Sequence, residues 1–290
     1  MHIKTIKALP AALENERTNL QPLPSYDADL VLWLAQNPEH IDRTWRAWIN
    51  RAVSVALGLS GRASLLTDKS VKLEKSNALG FEHTLALHLA PAALSGREVC
   101  AAALRYGCKC REVCLNISGK GYLSSTQAAR VRKTNLYFEH RALFLAKLSL
   151  EIYDWTRKGF PVAIRPNATS DIPWERVAPW LFTTHPNVRF YDYTKDVRRF
   201  RRALPDNYRL CLSRHESNDS ECLSALAGGR TVAVVFRDLS SALDNGWNGF
   251  PVIDGTKDDR RFDDPPGTVV GLDPLGNARH DRSGFVVENG

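Results

Sequence analysis

The sequence contains no long uninterrupted apolar run, and its only methionine is residue 1. A membrane-spanning helix needs about 20 apolar residues, so no such helix is predicted. The first residues, MHIKTIKALPAALENERTN, also lack an apolar stretch of signal-peptide length. We therefore expect a cytoplasmic protein with no membrane partner.

Motifs of several common enzyme classes are also missing. No GxGxxG sequence follows a predicted strand, and neither HExxH nor GxSxG occurs. The sequence Ser118-Gly-Lys-Gly-Tyr lacks the first glycine and the final Ser/Thr of a P-loop. The cysteines form no CxxC pair, which argues against a zinc ribbon.

The charge balance is moderately basic, with 39 Lys and Arg against 32 Asp and Glu, a net charge of +7. This excess permits a nucleotide or nucleic-acid partner, although solubility alone can account for it. Two clusters of charged residues each allow two interpretations. Arg198, Arg199, Arg201 and Arg202 form either a solvated helix face or a phosphate contact. Asp254, Asp258, Asp259, Asp263 and Asp264 are either solvated and capping groups or ligands for Mg²⁺.

The first part of the chain is predicted to be a helical extension, residues 1–70. Residues 1–26 read as irregular. Asn37-Pro38 then starts a segment with apolar residues at helical spacing, which Gly58 ends. Trp33 lies just before this segment and Trp45 and Trp48 lie within it, and the helical spacing favours packing over ligand stacking.

Residues 71–290 are predicted to form a βα domain, because short apolar strands alternate with helices and glycine-rich turns. The predicted strands are residues 81–90, 161–167, 188–194, 208–214, 231–237, 250–255 and 267–272, with one long helix at 125–158. We expect an α/β fold: an open or partial parallel βα barrel of about six strands, following the helical N-terminal extension. A Cys-rich loop, residues 97–123, follows the first strand.

The Cys-rich loop holds four of the six cysteines, Cys100, Cys108, Cys110 and Cys114. In a reducing compartment, disulfides are disfavoured and a cysteine cluster more often binds metal. Three thiolates in one loop suit an iron–sulfur cluster that keeps one iron open, with zinc as the alternative cofactor. The remaining interpretation is a set of buried free thiols.

Polar side chains follow most of the predicted strands. Because the carboxyl ends of parallel strands share one edge, these side chains should converge there with the cysteines. The expected catalytic residues are Asp171, Asp192, Lys195, Glu216 and Asp254. The expected substrate-binding residues are Asn167, Arg130, Lys133 and Arg214. The alternative is that these groups simply belong to scattered, solvated loops.

Several segments resemble the gene product 88 family of phage and prophage proteins. They are residues 110–115, 118–121, 127–135, 167–175, 190–195, 232–236, 252–260 and 283–287, in order from about residue 72 onward. The resemblance implies a phage or prophage origin and a cysteine trio of Cys100, Cys110 and Cys114. The family pattern has Pro-Gly after the first cysteine, where this chain has three alanines, and Cys108 is additional.

The order of elements also resembles that of radical S-adenosylmethionine enzymes, which carry three cysteines after the first strand of a partial barrel. Their usual spacing is CxxxCxxC, whereas this chain has CxxxC at residues 110–114 and its other cysteines upstream. The resemblance implies S-adenosylmethionine as a second cofactor.

The sequence thus predicts a protein that binds an iron–sulfur cluster or metal through Cys100, Cys110 and Cys114. A radical S-adenosylmethionine-like enzyme acting on a nucleotide or nucleic acid is the most specific form of this prediction. The alternative is a zinc-stabilised nucleic-acid-binding protein without catalytic activity.

Overall fold

Eight strands form one sheet in the computed structural model, which describes residue 23 and residues 25–288. The strands are β1 (Leu66–Thr67), β2 (His83–Leu87), β3 (Val162–Arg165), β4 (Val188–Thr194), β5 (Tyr208–Ser213), β6 (Val232–Val235), β7 (Val252–Asp254) and β8 (Val269–Leu272). Their order across the sheet is β1-β2-β3-β4-β5-β6-β8-β7. Every neighbouring pair is parallel except β1 with β2.

This architecture confirms the predicted α/β class and its mainly parallel sheet. The predicted number of about six strands was too low: the seven predicted strand segments each contain one strand of the sheet, β2 to β8, and β1 is the eighth. One added strand, β1, is only two residues long and lies in the segment assigned to the N-terminal extension. Strands β1 and β7 are the two edges of the sheet and do not pair with each other. The sheet is therefore open, and a barrel is not shown.

Helices connect the strands. They are α1 (Ala28–Gln36), α2 (Arg43–Ala56), α3 (Val71–Ala78), α4 (Ala92–Ser95), α5 (Ala101–Arg105), α6 (Ser124–Glu139), α7 (Arg141–Thr156), α8 (Trp174–Val177), α9 (Trp180–Thr184), α10 (Asp219–Ala227) and α11 (Leu239–Asn245). Short 3-10 helices lie at Pro38–His40, Lys109–Arg111, Leu115–Ile117, Gly119–Tyr122, Val197–Arg201 and Gly276–His280. Among the described residues, every helix is too short or too polar to span a bilayer. Most of the predicted irregular segment 1–26 lies outside these residues.

The helix predicted over residues 125–158 is two helices, α6 and α7. They are separated at His140, whose φ of −130° and ψ of 57° are not helical. Neither proline nor glycine marks the break, and the apolar periodicity continues across it. The sequence therefore predicted a single helix. Helices α1 and α2 pack in the same apolar core as α7, which includes Leu34, Ile49 and Phe144.

The two faces of the sheet differ in character. On β4, Phe190 and Asp192 point to the face that packs against the helices, because side chains alternate along a strand. Phe190 contacts the Phe182 ring of α9 at a centroid distance of 4.9 Å. Tyr191 and Tyr193 occupy the opposite face. Both hydroxyls donate to Asp259, which belongs to the loop after β7.

The segment near the C-terminus completes the sheet beside β6. Val287 N–H donates to the Val235 carbonyl at 2.8 Å, and Arg237 N–H donates to the Val287 carbonyl at 2.9 Å. Phe285 and Val286 pack with Cys108 and Val113 in a small apolar cluster. The C-terminal segment therefore covers part of the Cys-rich loop.

Candidate metal centre

The loops after three neighbouring strands meet at the carboxyl edge of the sheet. The Cys-rich loop follows β2, Asp171 lies after β3, and Lys195 follows β4. Asp171 N–H donates to the Val99 carbonyl at 2.8 Å, immediately before Cys100. Lys195 N–H donates to Asp171 Oδ2 at 2.9 Å. These two hydrogen bonds fix the first cysteine relative to β3 and β4.

Four thiols lie together in this region. Cys110 N–H donates to the sulfur of Cys108 at 3.3 Å. A hydrogen bond from the Cys108 thiol lowers the pKa of Cys110 to about 7 against the opposing effect of burial, and Lys195 adds to the lowering. Burial raises the pKa of Cys100, and its neighbours Asp171, Cys114 and Cys110 raise it further. The structure therefore brings Cys100, Cys110 and Cys114 together, with Cys108 beside them.

Lys195 is the cation of this thiol group. Burial opposes its charge, but the sulfur atoms of Cys110 and Cys108 and the carboxylate of Asp171 raise its pKa overall. Its Nζ lies 5.8 Å from the centre of the Phe285 ring. A cation held among thiols stabilises their ionised forms, which are the forms that bind metal.

A second set of metal-ligand groups lies next to the thiols. Cys108, His215 and Glu216 each present one ligand atom, and the three atoms lie within 4.8 Å of one another. Cys100, Cys110 and Cys114 do not form such a tight group among the described residues.

Positive groups from β3 and α6 lie close to His88, just after β2. Arg130 Nη1 donates to the Asn116 carbonyl at 3.2 Å and to Asn116 Oδ1 at 2.6 Å. Lys133 Nζ donates to the Leu65 carbonyl at 2.8 Å, and burial lowers its pKa to about 8. Burial lowers the pKa of His88 to about 3, helped by the charges of Arg130, Arg165 and Lys133. The side chains of His88 and Asn116 each keep a buried polar atom, Nδ1 and Nδ2, without a hydrogen-bond partner.

Asn167 and Asp192 form a buried hydrogen-bonded pair. Asn167 N–H and Nδ2 donate to the two Asp192 oxygens at 2.7 and 2.8 Å, and Tyr208 donates to Asp192 at 2.8 Å. The Asn167 side-chain oxygen accepts from Ile172 N–H. Burial raises the pKa of Asp192 to about 7, although Arg199 and Tyr208 lower it. These contacts occupy both side chains in shaping the loop after β3, and their catalytic and binding roles stay predictions.

The arginine-rich stretch does not form one basic face. Arg199 is 7% exposed and donates to both Asp171 and Glu175. Arg198 pairs with Asp196 at 2.6 Å. Of the two interpretations left open for these arginines, a solvated helix face does not hold for Arg199, which is buried on carboxylates 24 and 28 residues earlier in the sequence.

Two other predicted site residues point elsewhere. Arg214 pairs with Asp219 at 2.7 Å and donates to the Gly284 and Phe285 carbonyls, which ties down the C-terminal segment. Asp254 accepts from Thr256 at 2.6 Å and lies 3.9 Å from Lys257. Asp254 thus lies apart from the thiols, on edge strand β7. In the same acidic group, Asp258, Asp259, Asp263 and Asp264 all pair with Lys or Arg side chains, which uses them as counter-charges.

A family model described as gene product 88 matches residues 60–289. The chain belongs to the gene product 88 family. The matched region contains the Cys-rich loop and the whole sheet, and it confirms the resemblance found in the sequence. No curated protein and no solved structure matches the chain. The family identifies no activity, so the chemistry of the site must suggest one.

Sequence reasoning missed three participants of the site in this gene product 88 protein. His215, His88 and Arg165 were not among the predicted site residues. His215 directly follows a polar strand-end residue, Arg214, so its position was a usable signal. Its distance in sequence from Cys108 hid their proximity.

Proposed function

We propose that the protein binds an iron–sulfur cluster through Cys100, Cys110 and Cys114. One observation carries the proposal: three thiols meet beside a charged lysine, Lys195, at the carboxyl edge of a parallel sheet. This edge is where α/β proteins place their ligands.

The spacing of the three sulfur atoms fits a cluster better than a single ion. A tetrahedral zinc with Zn–S bonds of about 2.3 Å holds two thiolates about 3.8 Å apart. Among the described residues, the trio does not form a group as tight as that of Cys108, His215 and Glu216. A four-iron cluster binds each thiolate at a different iron and therefore holds the sulfur atoms farther apart.

The charges around the trio fit as well. Three thiolates on an oxidised four-iron cluster leave a net negative charge, which is costly to bury without a counter-charge. Lys195 supplies a positive charge among the thiols. Arg130 supplies a second positive charge, near Cys114. Burial raises the pKa of the Cys114 thiol overall, and the charge of Arg130 acts to lower it.

A bound cluster would supply electron transfer or, with three protein ligands, an iron open to a further ligand. The chain's own contribution is orientation and charge. Arg130, which lies near Cys114, and Lys133 form a positive, partly buried wall next to the neutral His88. That wall favours an anionic ligand, such as the phosphate of a nucleotide.

S-Adenosylmethionine-dependent chemistry is a second candidate for the same site. It is favoured by one observation: the thiol loop follows β2, the first of the consecutive parallel strands. This candidate predicts that anaerobically reduced, iron-loaded protein releases 5′-deoxyadenosine from S-adenosylmethionine. If protein with a full cluster released no 5′-deoxyadenosine, this second candidate would be wrong and the cluster would have a different role.

Cluster binding is tested by reconstituting the purified chain with iron and sulfide under anaerobic conditions. We expect iron and sulfide in similar amounts and a broad visible absorbance that fades on reduction. The variant Cys114→Ala should lose both signals. Cys222→Ala is the matched control, because Cys222 is a buried thiol outside the loop and should keep them.

Two results would contradict the proposal. One is a folded wild-type chain that takes up no iron under these conditions. The other is a Cys114→Ala variant that keeps as much iron and sulfide as the wild type. One zinc per chain with no iron uptake would support the zinc-stabilised nucleic-acid-binding alternative.

A further inference from the structure

We infer that Cys108, His215 and Glu216 form a separate site for one divalent metal ion, with zinc as the best-matched ion. The three ligand atoms lie within 4.8 Å of one another, close enough for small side-chain movements to place all three on one ion. This inference assigns a function to the one cysteine of the loop that lies outside the proposed cluster trio.

The three ligand types match the chemistry of zinc. Thiolate, imidazole and carboxylate are its usual protein ligands. One thiolate and one carboxylate also balance the charge of a divalent ion, so the occupied site would be neutral. Neutrality matters here because Cys108 and His215 are each only 2% exposed.

Neighbouring groups already orient each ligand. Cys110 N–H donates to the Cys108 sulfur at 3.3 Å. Lys109 N–H donates to Glu216 Oε1 at 2.7 Å and leaves the other carboxylate oxygen facing Cys108, 4.0 Å from its sulfur. Outer contacts of this kind hold the ligands of known metal sites in position.

His215 is held in the same way. Its Nδ1 lies 3.2 Å from Ser217 Oγ, and its ring stacks on Tyr106 at a centroid distance of 5.8 Å. Its backbone N–H donates to Asn218 Oδ1 at 2.7 Å, which fixes the turn after β5. Metal-binding histidines characteristically engage their second ring nitrogen in such a contact.

Three protein ligands leave one position of a tetrahedral ion open. Zinc sites with an open position bind water or substrate, whereas structural zinc sites have four protein ligands. The site would therefore offer a metal-bound water next to the thiol trio.

The test uses metal-free, full-length protein loaded with zinc or cobalt in the absence of iron and sulfide. We expect one ion per chain and, with cobalt, the intense absorbance of a cobalt–thiolate bond. Cys108→Ala and His215→Ala should each lose the ion, and Glu216→Gln should bind it more weakly. The control variants His280→Ala, an exposed histidine, and Asp219→Asn, an acid after the same strand, should bind as the wild type does.

The test distinguishes this inference from the proposed cluster. Cys114→Ala should keep the zinc ion while losing iron, and His215→Ala should keep iron while losing zinc. Zinc retained by the folded Cys108→Ala and His215→Ala variants would overturn the inference and leave the cluster proposal intact. Zinc lost only from Cys100, Cys110 or Cys114 variants would place the ion in the trio and overturn it equally.

Discussion

Arg165 and Asp259 are 94 residues apart in sequence and are joined by a 2.8 Å hydrogen bond on the face of the sheet opposite α9. Asp259 also pairs with Lys72 at 2.9 Å, and its backbone N–H donates to Ser76 Oγ at 2.8 Å. Its carboxylate accepts from the Tyr191 hydroxyl at 3.0 Å. One buried carboxylate therefore holds together β3, β4, α3 and the loop after β7.

The variant Asp259→Asn should strongly destabilise the fold. Removing its charge leaves Arg165 and Lys72 without their carboxylate, and breaking a buried pair costs about 3–5 kcal/mol. Chemical denaturation measures the loss in the free energy of unfolding. Asp263→Asn is the control, because its partly exposed ion pairs should contribute less than about 1 kcal/mol. If both variants lowered the free energy of unfolding equally, the burial of Asp259 would not make its ion pairs more stabilising than those of Asp263.

Asp192 should make the protein less stable as the pH rises from about 4 to about 7. Its folded-state pKa is about 7, raised by burial from the ordinary 3.8. A raised carboxyl pKa means that the folded state holds its proton more tightly. The contribution of Asp192 to the free energy of unfolding is therefore complete below its unfolded-state pKa. It is lost as the pH rises through its folded-state pKa.

Two measurements check this pH dependence. Carbon NMR of the Asp192 carboxyl should give a midpoint near pH 7, and Tyr208→Phe should raise it, because the tyrosine hydroxyl donates to the carboxylate. The decline in unfolding free energy between pH 4 and 7 should be smaller in Asp192→Asn than in the wild type. A carboxyl midpoint at or below 4 would refute the prediction.

His88 should stay neutral in mildly acidic solution. Burial and the nearby Arg130, Arg165 and Lys133 lower its pKa to about 3 from 6.5. Because this pKa is depressed, the contribution of His88 to stability is present above pH 6.5 and is lost as the pH falls toward 3. NMR of the imidazole should show no titration between pH 8 and 5. Arg130→Ala should raise the pKa, and an unchanged pKa would mean that Arg130 does not act on His88.

The variant Gly121→Ala should disrupt the Cys-rich loop. A Cβ atom at Gly121 would lie 2.3 Å from the Asn116 carbonyl oxygen, so the backbone would have to move. Overpacking of this kind costs about 1–3 kcal/mol. Gly61→Ala is the control, since a Cβ there meets no atom within 4 Å. We expect lower stability and lower iron uptake for Gly121→Ala alone; wild-type values for both would show that the loop adapts.

The parallel strands could be predicted from the sequence because their apolar runs are short and separated by helices and glycine turns. The convergence of Lys195 and Asp171 with the cysteines followed from the same pattern, since each comes after a parallel strand. The break at His140 could not be predicted, because the apolar periodicity of the sequence continues through it.

Side-chain direction and long-range pairing were the other missing parts. Asp192 was expected in the site, but its hydrogen bonds to Asn167 and Tyr208 could not be read from the sequence. Arg199 is indistinguishable in sequence from Arg198, and only folding brings Glu175 to it. His215 and Cys108 lie in loops that follow two different strands, and no local sequence pattern predicts that they are close together.

The C-terminal segment also has a consequence for the order of events during synthesis. The Cys-rich loop leaves the ribosome well before Phe285 and Val286, which later pack against Cys108 and Val113. At about 5–20 residues per second, the intervening chain takes roughly ten to thirty seconds to make. During that interval Phe285 and Val286 do not yet cover this part of the loop. Loading of the proposed centre would thus be easiest on the nascent chain, before these two residues pack over the loop.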